Sequence, residues 1–185
     1  MNRQLRKEWR LSLSKVLVQY KMRTCIIYIM GVSGSGKTTI GKKLSDKTNI
    51  PFFDADDFHP LANKEKMKAG QALTDDDREG WLKAMNQLAK EQMEKQGAII
   101  SCSALKEKYR TVLADGISIP VYWVFLKGSY QLIGKRMKER TDHFMPDRLL
   151  QSQFEILEIP MYAIVADISD SQDKIIESLL TSLPV

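Results

Sequence analysis

From residue 24 onward, hydrophobic and polar positions fall into two alternating textures. Five short runs rich in Ile, Val and aromatic residues occupy 25–30 (CIIYIM), 50–55 (IPFFDA), 98–103 (AIISCS), 121–126 (VYWVFL) and 163–168 (AIVADI). Their composition predicts strands. Between them lie amphipathic stretches at 37–48, 77–96, 105–114, 129–140, 146–157 and 171–180, whose apolar positions recur at helical spacing. Strands alternating with helices require a parallel sheet, because each crossover must carry the chain back to the edge where the next strand begins. The pattern therefore predicts one three-layer α/β/α domain over residues 24–185, built on five parallel strands.

Composition agrees with a single domain. The 185 residues are 43% hydrophobic, enough for one sizeable core. The apolar run at 25–30 is far too short to span a bilayer, and no other segment comes near the necessary length. Cys25 and Cys102 both lie in strand-like runs and read as buried thiols of a reducing compartment. No C-x-x-C pair exists to suggest a zinc or redox site.

Charge changes the picture only once it is located. The formal charge is +5, from 28 basic and 23 acidic residues. Seven of the basic residues and one acidic residue fall within the first 23 positions, leaving 21 and 22 in the rest, a net −1. The basic character thus belongs to the leader, which weakens the electrostatic case for nucleic-acid binding by the folded part. The leader (1–23) is Arg-rich and acid-poor like a transit peptide, and Met22 offers an alternative start. It is read as a dispensable basic tail without a fixed fold.

Candidate chemistry begins where the first strand stops. Residues 31–38, GVSGSGKT, match G-x-x-x-x-G-K-[ST] between a strand and a helix, the context that a phosphate-binding loop requires. Glycines there permit close backbone approach, the loop amides form an anion nest, and the helix adds its positive N-terminal end. The expected cradle for a nucleoside triphosphate is Gly31, Val32, Ser33, Gly34, Ser35, Gly36, Lys37, Thr38 and Thr39. Lys37 would reach the β- and γ-phosphates and Thr38 would ligate Mg²⁺.

Three classes of phosphate-loop protein compete for this motif: a small-molecule kinase, a regulatory GTPase and a motor ATPase. A GTPase reads guanine through N-K-x-D, whereas residues 63–66 are NKEK and follow no strand. A motor ATPase ends an apolar strand in aspartate, whereas 98–103 ends in Ser-Cys-Ser. A compact kinase remains. It needs a proton acceptor and cations around the transferring phosphoryl group. The second strand leads into FFDADD (52–57). In an extended chain Asp54 and Asp56 share a face at the carboxyl edge where open α/β sheets bind ligands. Asp54 is expected near the metal, and Asp56 as general base on the acceptor hydroxyl.

The segment that follows, DADDFHPLANKEKMKAGQALTDDDREGWL (54–82), resembles the gluconokinases. His59, Pro60, Asn63, Lys66, Met67, Gly70, Leu73, Asp75, Asp77, Arg78, Trp81 and Leu82 all fall on the family pattern. The stretches CSALKEKYR (102–110) and RTDHFMPDRLLQSQFEILEIP (140–160) are similar to the same family, so the likeness covers roughly residues 26–160. It implies transfer of a phosphoryl group from ATP, with Mg²⁺, to the 6-hydroxyl of D-gluconate, in a cytoplasmic enzyme that is a homodimer. It also implies a P-loop kinase fold similar to shikimate and nucleoside monophosphate kinases, with a mobile helical lid over about 128–148. The shikimate kinases share the D-x-D after the second strand.

A flexible polyhydroxylated carboxylate calls for a cation and many polar partners. His59, Asn63, Lys66, Arg78, Lys106 and Arg110 supply them, together with Asp56. Arg78 or Arg110 is expected on the carboxylate, because a guanidinium grips it bidentately. Trp81 and Met67 are read as core-facing. Arg136 and Arg140, one helical turn apart, are expected to close over the phosphates from the lid, with His143 structural there. Two positions depart from the family pattern: Ala55 stands where D-G-D is usual, and Gly80 replaces a proline. The rival readings are a kinase for another sugar acid or polyol, and a P-loop binding protein with a vestigial acceptor site.

Overall fold

The computed structural model describes residues 24–139 and 147–185. Five strands appear where the hydrophobic pattern places them: β1 (Ile26–Met30), β2 (Phe52–Asp54), β3 (Ala98–Ser101), β4 (Val121–Lys127) and β5 (Ile164–Asp167). All adjacent pairs are parallel, in the order β2-β3-β1-β4-β5. The central strand β1 lies between β3 and β4, and every one of its five residues is fully buried. That explains why its sequence is an unbroken apolar run rather than an alternation.

Seven helices are present among the described residues: α1 (Lys37–Thr48), α2 (Leu61–Lys68), α3 (Asp75–Met93), α4 (Glu107–Ala114), α5 (Tyr130–Lys138), α6 (Asp147–Glu155) and α7 (Gln172–Ser182). One face of the sheet packs against α1, α5, α6 and α7 through residues such as Ile40, Leu44, Ile133, Leu150, Ile176 and Leu179. The other packs against α3 and α4 through Trp81, Leu82, Met85, Ala89, Tyr109 and Leu113. On this second face Tyr28 stacks on Trp123 with centroids 4.6 Å apart, and its hydroxyl donates to Leu113 O at 3.0 Å. The expected three-layer α/β/α architecture is the one observed. Both cysteines are buried and unpaired, and desolvation pushes their thiols up, to about 11 for Cys25 and about 12 for Cys102.

Two elements depart from the hydrophobic pattern. Helix α2 escapes it because its apolar positions are sparse and Leu61 is exposed. Helix α3 starts two residues earlier than expected because Thr74 and Asp77 form a capping box. The Thr74 hydroxyl accepts from Asp77 N–H, and the Asp77 carboxylate accepts from Thr74 N–H at 2.8 Å, satisfying two donors that helix geometry orphans. Further along the same helix, Gly80 is exposed, and a Cβ built there meets nothing within 4 Å. Gly80→Ala should therefore stabilise the fold by about 0.5–1 kcal/mol through reduced chain entropy, raising Tm by roughly 1–4 °C in a melting experiment.

The loops after β1, β2, β3 and β5 open on one edge of the sheet. That edge carries the candidate site residues.

Candidate active site

The turn from β1 into α1 holds the phosphate loop. Gly31, Gly34 and Gly36 have φ of 142°, 79° and 96°, a region that residues with a Cβ rarely adopt. Close approach adds to this at Gly34, where a Cβ would lie 2.7 Å from Met137 Cγ. Lys37 arches back over the loop, its Nζ donating to Gly31 O and Val32 O at 3.1 Å each. Thr38 Oγ1 donates to Asp54 Oδ2 at 2.6 Å. The sequence-predicted cradle and the metal-side pair are thus brought together. A hydroxyl and a carboxylate in contact are hard oxygen donors of the kind that suits Mg²⁺. Among the described residues no cluster of three or more His, Cys, Asp or Glu could hold a metal ion by itself. Beside this pair, in register with Asp54, Ser101 is buried with its hydroxyl lacking a protein partner.

Asp54 and Asp56 come together by a different route from the expected one. The strand ends at Asp54, and residues Ala55–Phe58 form a 3₁₀ turn. Asp54 caps that turn, its Oδ1 accepting from Asp56 N–H at 3.1 Å. A short capped turn, not strand alternation, sets Asp56 beside the loop with an exposed carboxylate. Ala55, the departure from D-G-D, is fully buried, and its carbonyl accepts from Trp81 Nε1 at 2.7 Å.

His59 follows on the same turn. Its ring stacks on Trp81 with centroids 4.1 Å apart, is 4% exposed, and presents Nε2 to Asp56 Oδ1 at 3.9 Å. Nδ1 is buried with no partner. Burial first, then the charges of Arg78 and Lys64, push its pKa down to about 4. The Asp56 carboxylate opposes that shift, but it is exposed to water, and the desolvation of the ring prevails. The unfolded chain protonates near 6.5 and the folded one near 4, so stability is complete above pH 6.5 and is lost as pH falls toward 4. Between pH 7.5 and 5 the loss should be about 2 kcal/mol, or roughly 4–8 °C in Tm. Melting curves of the native chain and His59→Phe should show this slope shrinking in the variant.

The remaining acceptor-side residues divide. Arg78 bridges the start of α3, donating to Leu73 O and to Thr74 O, with its guanidinium 5.6 Å from the Tyr109 ring centroid. Lys106 donates to Asp75 at 3.0 Å, and Lys108 and Tyr109 donate to the same carboxylate. Lys108, Tyr109 and Lys106 together hold Asp75 far below the usual carboxylate range. Lys66 pairs with Asp77 at 2.7 Å and, with Thr74, lowers its pKa to about 2. A cationic cluster of Arg78, Lys106 and Lys108 therefore surrounds the N-terminus of α3.

Two of the expected acceptor-side residues are engaged inside the fold. Arg110 is 2% exposed, and its guanidinium is consumed internally by Ala104 O, Leu105 O, Glu107 and the Tyr162 hydroxyl. The side chain pins the β3–α4 loop through these bonds. Asn63 is 5% exposed and donates to Asp77 O at 2.7 Å. It ties α2 to α3.

On the other side of the loop lies a cleft of about 360 Å³, lined by Gly36, Thr39, Arg136, Ile168, Asp170 and Gln172 among others. Arg136 donates to Ile168 O at 2.7 Å, so it stands in the cleft wall and is tied to the loop after β5. Arg140 and His143 lie outside the described residues. Sequence reasoning left this cleft unassigned, because the loop after β5 carries no motif. It also passed over Gln153 on α6, whose Oε1 accepts from Ser33 N–H at 2.7 Å. That residue lies within the family-like stretch at 140–160.

Comparison with known proteins places this geometry in context. The shikimate kinase family description matches residues 33–183. A probable gluconokinase of Dictyostelium discoideum is 41% identical, covering 98% of this chain and 97% of its own. The thermosensitive gluconokinase of Escherichia coli K12 is 46% identical over 71% of each chain. The crystal structure of a gluconokinase from Sinorhizobium meliloti 1021 superposes with a TM-score of 0.78 at 38% identity, covering 86% of this chain and 91% of that one.

Proposed function

From this chain's membership of the gluconokinase family, built on a shikimate kinase-type domain, we propose that it phosphorylates D-gluconate at the 6-hydroxyl with ATP. The single observation that carries the reading is the convergence of the Lys37 loop, the Thr38–Asp54 pair and Asp56 on one sheet edge. Loop amides and the N-terminus of α1 take the β- and γ-phosphates, and Lys37 neutralises charge on them. The adjoining cleft, with Arg136 in its wall, takes the nucleoside end. Thr38 and Asp54 would hold Mg²⁺, which when bound neutralises charge on the phosphates.

Asp56 accepts the proton of the acceptor hydroxyl as the oxygen attacks phosphorus. Its exposed carboxylate can reach a substrate without a rearrangement of the core. At the far end, Arg78 with Lys106 meets the acid's carboxylate, and Lys66 and His59 flank the path between. A carboxylate entering that cationic cluster competes with Asp75 for Lys106. Asn63 and Arg110 act behind this surface by fixing α2 to α3 and the β3–α4 loop.

No helix among the described residues is long and apolar enough to cross a membrane. The family resemblance supports a cytoplasmic homodimer. An ADP-release assay run with gluconate, other aldonates, a polyol, shikimate and no acceptor tests the proposal. Turnover confined to gluconate is expected. Equal turnover without acceptor would indicate an ATPase, and preference for another acid or a polyol would reassign the substrate.

A further inference from the structure

The first turn of the phosphate loop is gripped from both sides. Ser35 N–H donates to Val32 O at 3.3 Å, closing a four-residue turn in which Gly34 has φ of 79°. This is the third-position conformation of a type II turn. In such a turn the second residue's N–H has no partner within the turn, and here it is Ser33 N–H. Gln153 supplies the partner, with Oε1 at 2.7 Å and 120 residues away in sequence. The carbonyl of the same Val32–Ser33 peptide points the opposite way, as a trans unit requires, and accepts Lys37 Nζ at 3.1 Å. One rigid plane therefore carries Gln153 on its donor and Lys37 on its acceptor.

Helix α6 is anchored well enough to make that contact directional. Leu149 and Leu150 are buried, Arg148 donates to Gly70 O at 2.9 Å, and Phe154 packs edge-on against Tyr130. The Gln153 amide is thus set by the packing of its helix and does not merely follow the loop.

We infer that Gln153 is a positioning residue for phosphate binding. It fixes the plane of the Val32–Ser33 peptide and so holds the Val32 carbonyl, and with it the Lys37 ammonium, in place over the loop. Without it the Ser33 N–H must find water or another acceptor, which lets the plane rotate and the carbonyl leave Lys37. The inference rests on the reading of Lys37 as the cation that meets the phosphates.

A double-mutant cycle on nucleotide affinity tests it, using a non-hydrolysable ATP analogue with Mg²⁺ and four full-length proteins: native, Gln153→Met, Lys37→Met and the double variant. Methionine keeps the length of the side chain and removes the acceptor. Gln153→Met should weaken binding roughly five- to tenfold when Lys37 is present, the scale of one lost hydrogen bond together with the cation it positions. It should weaken binding less than twofold when Lys37 is already methionine, because coupled groups lose their effect together. A general loosening of α6 would act equally in both backgrounds, so equal losses overturn the inference. An unchanged affinity for Gln153→Met overturns it as well. If Lys37→Met itself binds as tightly as the native chain, the reading of the loop fails too, an outcome separable from failure of the Gln153 assignment alone.

Discussion

Lys37→Ala should reduce kcat/KM for MgATP by about 10³-fold or more. The ammonium lies over the loop, held by the carbonyls of Gly31 and Val32, where on the proposed mechanism it would meet phosphate oxygens that gain charge as the phosphoryl group departs. Removing it leaves the loop amides and the N-terminus of α1, which still bind an anion. Nucleotide binding should therefore weaken by much less than turnover falls. Steady-state kinetics with saturating gluconate, set beside the Kd for ADP, separates the two. A variant whose turnover falls no more than its ADP affinity would show Lys37 contributing to binding alone.

Asp56→Asn should lower kcat by roughly 10²–10⁴-fold, the usual worth of a positioned general base, with the KM for MgATP changed by less than about threefold. Asparagine keeps the size of the side chain and the backbone donation from residue 56 to Asp54 that closes the 3₁₀ turn. The loop and the Thr38–Asp54 pair stay as they are, and on the proposed mechanism only the proton acceptor is lost. Because Asp56 is exposed, the substitution leaves no buried charge uncompensated, and the melting temperature should stay within a few degrees. A kcat within fivefold of the native value would remove the base assignment.

Much of this architecture was legible because local signals and global topology agree. The run IIYIM is apolar at every position because β1 is buried on both faces, and the glycines at 31, 34 and 36 stand where the backbone has positive φ. What stayed hidden depends on tertiary context. Helix α2 is bound to the fold mainly through polar ties such as Asn63 to Asp77 and Lys66 to Asp77, so its hydrophobic pattern is faint. Arg110 reads as a ligand candidate because it lies in the family-like stretch CSALKEKYR and a guanidinium suits a carboxylate. Its burial depends on the Tyr162 hydroxyl and the Ala104 carbonyl, partners that no spacing rule announces. The juxtaposition of Asp54 and Asp56 was anticipated, but a capped 3₁₀ turn achieves it. Gln153 bonds across 120 residues and carries no periodic signal at all.

On the proposed mechanism, one sheet edge holds the end of a triphosphate in main-chain amides and sets the far hydroxyl of a six-carbon sugar acid between it and Asp56. A crystal structure with gluconate, Mg²⁺ and a non-hydrolysable ATP analogue tests it most directly. The 6-hydroxyl oxygen should lie about 3 Å from an Asp56 carboxylate oxygen and about 3–3.5 Å from the γ-phosphorus, with the acid's carboxylate against Arg78 and Lys106. Gluconate bound with its carboxylate toward the phosphates, or its 6-hydroxyl beyond reach of Asp56, would contradict the account.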